Sequence, residues 1–146
     1  MHAQDIMTAQ PVTALPGDRI TDAASAMARS GASLLPVVND NRNLHLRGVI
    51  TDRDILEECV AAGHAPGCLV RDHMTTNALE TVHPQDAIES VLEKMESRAV
   101  HRVPVVDEEY RVVGLITRTD LLLRGAPVGS PLRARMLKRP VVPRAP

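Results

Sequence analysis

An internal repeat constrains the fold of this chain more than any other feature of its sequence, because the two copies must adopt the same local structure. Three segments recur in the same order: Gly48–Asp54 (GVITDRD) as Gly114–Asp120 (GLITRTD), Leu35–Val38 (LPVV) as Val103–Val106 (VPVV), and Asp5–Thr8 (DIMT) as Asp72–Thr75 (DHMT). Each copy places a threonine and an aspartate where a strand is expected to pass into a helix. The repeat therefore predicts two equivalent halves with two equivalent pockets.

The spacing of the copies locates the one length difference between them. Pro36 and Pro104 lie 68 residues apart, whereas Gly48 and Gly114 lie 66 apart, so the first copy has two additional residues between its proline and its glycine. These residues fall in the polar run 39–43. Hairpin turns tolerate such variation in length, so the two halves remain equivalent.

Matched apolar periodicity predicts one helix in each copy. The apolar residues stand at positions i, i+3, i+4 and i+7 and are Ile20, Ala23, Ala24 and Met27 in the first copy and Ile88, Val91, Leu92 and Met95 in the second. Such spacing gives each helix one apolar stripe, so Met27 and Met95 are expected at equivalent buried positions. Asp18 and Asp86 stand where an N-cap or first-turn acid is expected. Gly31 is expected to end the first helix.

Short apolar runs follow each helix and predict strands. They are 34–38 and 46–50 in the first copy and 103–106 and 112–116 in the second, and further helices follow at 52–62 and 118–124. Each unit therefore reads strand–helix–strand–strand–helix. We predict an α/β (α+β) fold of two βαββα repeats in a pseudo-twofold pair, with repeat 1 at 1–66, repeat 2 at 67–125 and a C-terminal tail at 126–146.

Composition limits the classes of partner. The 146 residues are 44% hydrophobic, with one tyrosine and neither phenylalanine nor tryptophan. Single-stranded nucleic acids are held by stacking of bases on aromatic side chains, so we do not expect a nucleic-acid partner. No apolar run approaches the ~18 residues that span a membrane, and residues 1–15 lack a signal-peptide pattern. We therefore expect a cytoplasmic protein that does not bind membranes.

The two cysteines, Cys59 and Cys68, fit no metal-binding spacing, so we expect no metal site. They could form a disulfide or remain free. A cytosolic location favours two free thiols.

The C-terminal part of the chain is strongly basic. Residues 121–146 contain six basic and no acidic residues, whereas the preceding part contains 11 basic and 18 acidic residues. The segment is also rich in proline and glycine. This composition is typical of a solvated, poorly ordered tail. An arm that binds phosphate or a partner is the alternative.

The Thr-x-x-Asp pattern at 51–54 and 117–120 has two interpretations. As a capping box, the threonine accepts a hydrogen bond from the amide three residues on, and the acid reaches back to the amide of the threonine. As a nucleotide site, the amides of a helix N-terminus suit a phosphate, and the carboxylate accepts ribose hydroxyls. The pattern alone favours the cap. Its repetition does not separate the two interpretations, because both copies need a cap.

His101 and Arg102 distinguish the second copy from the first. They stand before the strand proline, where the first copy has Ser33 and Leu34. A guanidinium is the usual planar clamp for phosphate, whereas a surface ion pair with a nearby acid such as Asp107 explains the pair equally well. If phosphate binds, we expect one cleft alone to gain the guanidinium, and hence one strongly bound nucleotide per chain.

Residues 1–125 resemble a pair of cystathionine-β-synthase (CBS) domains, a Bateman module. The resemblance rests on the three recurring segments and on the run His101–Asp107. Their combination, twice at matching spacing, is highly specific, although Gly-x-x-Thr-x-x-Asp alone is not. The resemblance implies a pseudo-twofold module with two clefts for an adenosine-containing ligand: AMP, ADP, ATP, S-adenosylmethionine or NAD.

The resemblance also implies which side chains meet the ligand. The candidate contacts are Asp54 and Asp120 for ribose, Thr51 and Thr117 for phosphate or ribose, Thr13, Thr81, Leu35 and Val103 around the base, His101 and Arg102 for phosphate, and Pro104 without an assigned role. No cofactor is required and no residue is assigned a catalytic role.

The expected function is that of a stand-alone regulatory module that binds a nucleotide and signals to an unknown regulated protein. A ligand-free structural or dimerisation module is the alternative. We expect no enzyme activity, because no nucleophile–base pair is apparent. A homodimer through helices is also expected, because the second helix of each copy carries many apolar residues: Ile55, Leu56, Cys59 and Val60, and Leu121, Leu122 and Leu123.

Overall fold

The repeated sequence folds into repeated structure. The computed structural model describes residues 1–64 and 67–138. The helices are α1 (Ala3–Ile6), α2 (Ile20–Ser30), α3 (Asp52–Asp54), α4 (Val70–His73), α5 (Ile88–Ser97), α6 (Arg118–Asp120) and α7 (Pro131–Leu137), and the strands are β1 (Thr8–Ala9), β2 (Leu34–Val38), β3 (Leu46–Thr51), β4 (Arg102–Val106) and β5 (Val112–Thr117). Two π-helical segments, π1 (Ile55–Val60) and π2 (Leu121–Gly125), continue α3 and α6. The predicted mixed α/β class with two matching units is confirmed.

Each repeat is built on one antiparallel hairpin. β2 pairs with β3 from Leu34↔Thr51 onward, and β4 pairs with β5 from Arg102↔Thr117 onward. Both hairpins shift register at the same place, between the last two residues of the first strand. A third, short segment adds to each hairpin, since β1 pairs with β5 and Thr75 forms the corresponding bridge to β3. The two sheets are therefore equivalent to each other, as the two copies of the sequence repeat are.

The first helix of each repeat packs into the other repeat. The Ala3 amide donates to Asp86 O at 2.8 Å, and the Val70 amide donates to Asp18 O at 2.8 Å. Ala3 belongs to the core beneath α5, and Val70 to the core beneath α2. The short helices α1 and α4 are thus exchanged between the halves, although each precedes its own repeat in the chain.

Two equivalent hydrophobic cores hold the repeats, and a third joins them. Met27 and Met95 are both buried, one in each core, as the matched stripes predict. Val38 and Val106 belong to the third cluster, at the ends of the hairpins. Burial of aliphatic area at about 25 cal/mol per Å² is the main stabilising contribution, because the chain has almost no aromatic side chains.

Asp18 and Asp86 do not cap helices α2 and α5. The N-cap residues are Arg19 and Ala87. Each aspartate instead closes the turn before its helix, where Asp18 Oδ2 accepts the Leu15 amide at 2.8 Å. Both carboxylates accept a preceding amide rather than a following one, so the prediction of an N-cap or first-turn acid is wrong. Gly31 ends α2 as predicted, with a left-handed φ of 73°.

Part of the basic tail is folded, contrary to the expectation of a poorly ordered segment. The Ser130 hydroxyl accepts the Arg133 amide at 3.1 Å and begins α7. Met136 is buried against the core of the second repeat, beneath α5. These apolar contacts outweigh the high content of proline and basic residues. Residues 139–146 of the predicted tail lie outside the described residues.

No helix within residues 1–64 and 67–138 is both long and apolar enough to cross a membrane.

Candidate functional site

Two clefts lie between the repeats, and each combines the end of one hairpin with the loop of the other repeat. The first cleft, of about 570 Å³, places Val49 and Thr51 opposite the run 99–102. The second cleft places Leu115 and Thr117 opposite the corresponding run 31–34. The two clefts are therefore built from equivalent segments with the roles of the two repeats interchanged, as the pseudo-twofold pair requires.

The second cleft has two chambers. The inner chamber, of about 350 Å³, is lined by apolar residues such as Leu34 and Leu115 and by polar residues that include Ser33, Arg102, Thr117 and Asp120. The outer chamber, of about 560 Å³, is lined by His101, Arg102 and Arg118 among others. Arg102 and Thr117 line both chambers, which are therefore adjacent.

Arg102 begins β4 on the boundary between the clefts. It is half-buried and is a lining residue of both clefts, so the expectation that one cleft alone gains the guanidinium stays a prediction. Within the described residues no carboxylate forms an ion pair with Arg102. Asp107, the acid considered as its partner, instead binds Arg111, with Nε and Oδ2 2.9 Å apart. Hydrogen bonds from the backbone and side chain of Arg111 hold the pKa of Asp107 below its ordinary value despite the opposing effect of burial.

Both Thr-x-x-Asp segments form capping boxes, which confirms that interpretation of the pattern. The Thr51 amide donates to Asp54 Oδ2 at 3.0 Å, and the Thr117 amide donates to Asp120 Oδ2 at 2.8 Å. The threonine hydroxyls accept the Asp54 and Asp120 amides, both at 3.1 Å.

The two boxes differ in exposure to the clefts. Asp120 lines the second cleft, whereas Asp52 and Arg53, and not Asp54, line the first. Asp120 Oδ2 also accepts the Thr117 hydroxyl at 2.9 Å. The hydrogen bonds that the Asp120 carboxylate accepts both use Oδ2. Among the described contacts Asp120 Oδ1 accepts none, so it is available to a ligand.

Leu35 and Val103 do not line a cleft, contrary to the expectation from the resemblance. Both are fully buried in the hydrophobic cores. Side chains alternate along a strand, so the residues on either side of Val103 face the cleft instead. Arg102 and Pro104 line the first cleft, and Leu34 lines both. Pro104, a candidate ligand contact without an assigned role, therefore does line a cleft, whereas the two residues predicted to line the base do not.

Thr13 and Thr81 are half-buried beside the clefts and line neither one. The Thr81 carbonyl accepts the Lys94 ammonium at 2.7 Å. The residues that precede them occupy the wall, with Val12 in the second cleft and Glu80 in the first. The residues that line the clefts therefore lie one position before the predicted threonines.

Most other charges at the clefts have partners. Arg53 Nε lies 2.7 Å from Glu57 Oε1, and Glu80 Oε1 lies 3.1 Å from Arg98 Nε. Arg118 donates to Met136 O at 3.1 Å, so α7 forms part of the outer chamber. No sequence pattern had connected Met136 with this site, because the contact depends on the folding back of the tail.

The cysteines lie outside the clefts and close to a histidine. Cys59 Sγ, Cys68 Sγ and a ring nitrogen of His73 all lie within 4.8 Å of one another. Partial burial, followed by the neighbouring Cys59, raises the pKa of the Cys68 thiol. Comparison with short zinc-binding spacings missed this cluster, because the third ligand comes from the exchanged helix α4.

Comparison with known proteins agrees with the geometry. A family model described as "CBS domain" matches residues 3–61 and 70–126. Hypoxic response protein 1 of Mycobacterium tuberculosis is 34% identical over 119 residues, which cover 82% of this chain and 81% of that protein.

Two solved structures are similar throughout both repeats. A crystal structure of Hypoxic Response Protein I with two coordinated zinc ions has a TM-score of 0.72 at 32% identity, covering 83% of this chain and 96% of the other. The CBS domain pair of protein MJ0100, in complex with 5′-methylthioadenosine and S-adenosyl-L-methionine, has a TM-score of 0.72 at 31% identity, covering 83% and 92% of the chains. The chain therefore belongs to the CBS-domain family and consists of a tandem CBS pair.

Proposed function

We propose that this CBS pair is a non-catalytic regulatory module that binds one adenosine-containing nucleotide in its second cleft. The observation that carries the proposal is Arg102, a half-buried residue that lines both chambers of this cleft and has no carboxylate partner among the described residues. Removing a charge from water is unfavourable unless the charge is paired. An anionic ligand supplies the missing partner. The adenosine ligands of the similar MJ0100 structure support the choice of nucleoside.

The chambers of the second cleft fit the parts of such a ligand. Leu34 and Leu115 line the inner chamber and offer apolar contact to an adenine ring. Asp120 lies in the same chamber and supplies an acceptor for ribose hydroxyls. Arg102 and His101 line the outer chamber, where the phosphate would lie.

The first cleft is proposed as the weaker site. Its capping acid, Asp54, does not line it, so the ribose loses its acceptor. It also shares Arg102 with the second cleft. We therefore expect calorimetric titration with AMP, ADP, ATP, S-adenosylmethionine and NAD to give one strong binding event per chain. Two equal events would contradict the asymmetry.

A matched pair of aspartate variants tests the ribose contact. Asp54→Ala and Asp120→Ala each remove the same capping box, so each should lower stability by about 0.5–2 kcal/mol. Asp120→Ala should also weaken binding of the preferred nucleotide about ten- to a hundredfold, because a hydrogen bond to a charged group contributes roughly 1.5–3 kcal/mol. Equal affinity of the two variants would show that Asp120 is a cap and nothing more.

A pair of arginine variants tests the phosphate contact. Arg102→Ala should weaken AMP binding and remove most of its dependence on salt, because exposed charge attraction is screened. Arg53→Ala is the control, since Arg53 lines the first cleft alone and already pairs with Glu57. Binding that is unchanged in Arg102→Ala would refute the placement of the phosphate.

We further propose that the module forms a homodimer through π1 and π2 and that ligand binding alters its contact with a regulated protein. Leu56, Val60 and Leu123 are 60%, 64% and 70% exposed and supply the apolar surface. Sedimentation velocity with and without nucleotide tests the assembly, and a monomer at micromolar concentration would contradict it. A stable dimer that binds none of the nucleotides would instead support a ligand-free dimerisation module.

A further inference from the structure

A cluster of metal-ligating side chains lies where the end of π1 meets the exchanged helix α4 and the segment that leads into it. Cys59 belongs to the last turn of π1, Cys68 precedes α4, and His73 is the last residue of α4. Their ligand atoms all lie within 4.8 Å of one another, and Cys59 and His73 are buried. None of them lines either cleft. The nucleotide site therefore does not account for this cluster.

The imidazole of His73 is incompletely satisfied. Its side chain is 8% exposed, and its Nε2 is buried with no hydrogen-bond partner among the described residues. Its Nδ1 lies 3.7 Å from Glu58 Oε2. Nearly all buried polar atoms in native proteins have a partner, so an orphaned nitrogen requires an explanation. A metal-bound histidine commonly directs its other ring nitrogen toward a carboxylate, which is the arrangement at Glu58.

A second histidine stands at the edge of the cluster. The ring centroids of His64 and His73 are 5.5 Å apart. The His64 amide donates to Cys59 O at 3.0 Å, which folds the chain back over the end of π1. The four side chains form the series Cys-x4-His-x3-Cys-x4-His. This series supplies two thiols and two imidazoles, the donor set of many structural zinc sites.

We propose that Cys59, Cys68 and His73 bind a zinc ion and that His64 completes a tetrahedral set. Thiolate and imidazole donors favour zinc over magnesium or calcium, which prefer oxygen ligands. Binding releases the thiol protons to solvent and forms two zinc–thiolate bonds, with no change in oxidation state. Because all four protein ligands are present, the site is structural. It fastens the exchanged helix α4 to the repeat into which it packs.

A Cys59–Cys68 disulfide is the competing use of the same thiols. It would leave His73 Nε2 without a partner and would give His64 no role. The two uses differ in mass, metal content and response to reductant, so the same preparation distinguishes them.

Metal content and thermal stability of the full chain test the proposal. Reduced protein, stripped with a chelator and titrated with Zn²⁺, should bind one ion per chain. A hundredfold excess of Zn²⁺ over its Kd should raise Tm by about 5–10 °C. Co²⁺ should give thiolate-to-cobalt charge-transfer absorption. His45→Gln is the control, because His45 is exposed and outside the cluster, and it should behave as the wild type.

Cys68→Ala and His73→Gln should weaken Zn²⁺ binding at least a hundredfold, and Cys68→Ala should also weaken the charge-transfer band. Cys68 is half-buried, so its variant should retain the Tm of the stripped wild type, and Zn²⁺ should no longer raise that Tm. His64→Gln should weaken binding about tenfold, since water can take the fourth position.

Failure of the reduced wild type to bind Zn²⁺ at micromolar concentration would overturn the proposal. Undiminished binding by Cys68→Ala would do the same. Metal-free protein whose mass is lower by two hydrogens, reversed by reductant without any gain in Zn²⁺ binding, would assign the thiols to a disulfide instead.

Discussion

Gly48 and Gly114 occupy equivalent positions on β3 and β5, but substitution by alanine should affect them differently. A Cβ on Gly48 would lie 2.6 Å from the backbone oxygen of Thr75. A Cβ on Gly114 would meet the side chain of Met7, 2.9 Å from Cγ and closer still to Sδ. The methionine side chain has three rotatable bonds and can turn away. The Thr75 carbonyl can retreat only with its backbone.

The structure gives the size of the difference. The Thr75 oxygen accepts the Val49 amide at 3.0 Å, and the Thr75 amide donates to Val49 O at 2.8 Å. Moving Thr75 away would break both bonds, at about 1 kcal/mol each, and overpacking adds about 1 kcal/mol. Gly48→Ala should therefore cost about 3 kcal/mol. Gly114→Ala should cost about 1 kcal/mol, the size of an off-rotamer side chain.

Thermal and urea unfolding of the purified variants measure this difference. At about 2–4 °C per kcal/mol for a chain of this size, Gly48→Ala should lower Tm by about 6–12 °C and Gly114→Ala by about 2–4 °C. Gly17→Ala is the control, because a Cβ there has no atom within 4 Å, and its Tm should not fall. An equal loss of Tm in the Gly48 and Gly114 variants, or a larger loss for Gly114, would refute the argument that the Thr75 carbonyl cannot move aside whereas the Met7 side chain can.

Three further variants test other parts of the fold by the same unfolding assays. Gly31→Ala should cost about 1–2 kcal/mol, because its left-handed φ of 73° is unfavourable for a residue with a Cβ; an unchanged Tm would contradict this. Met136→Ala should cost about 2 kcal/mol through the cavity left in the second core, whereas a solvated α7 would show no loss. The folded-state pKa of Asp107 is lowered, so its stabilising contribution is present above the ordinary value of 3.8 and disappears as pH falls through the folded value. Asp107→Asn should therefore be less stable than the wild type at pH 7 and equally stable near pH 2, and a Tm difference that persists at low pH would contradict the hydrogen-bond explanation.

The repeat made the fold predictable, because each copy supports the assignment of the other. The paired stripes ending in Met27 and Met95 predicted both main helices and their burial, and Gly31 predicted the end of the first. The exchange of α1 and α4 was not predictable in the same way. Asp5–Thr8 and Asp72–Thr75 are equivalent in sequence whether each helix packs on its own repeat or on the other one.

The site was predicted at the level of segments but not of individual side chains. Strand parity decides which residue faces a cleft, so Leu34 and Arg102 reach the wall where Leu35 and Val103 do not. The candidate set contained both Val103 and Pro104, although side chains alternate along a strand and only one of two neighbours faces the cleft. The presence of Asp120 and absence of Asp54 at the cleft walls depend on backbone placement, which the identical capping pattern does not encode.

The exchange of α1 and α4 also determines how this protein can unfold. Residues 10–64 lack the helix that supplies Val70 to their core, and the second half of the chain lacks Ala3 and Ile6. Opening either core exposes apolar surface on a segment connected to the other, so the two repeats lose their packing together. Denaturation should accordingly follow a single cooperative transition rather than two, with the slow step set by contacts between residues far apart in sequence, such as Ala3 and Asp86.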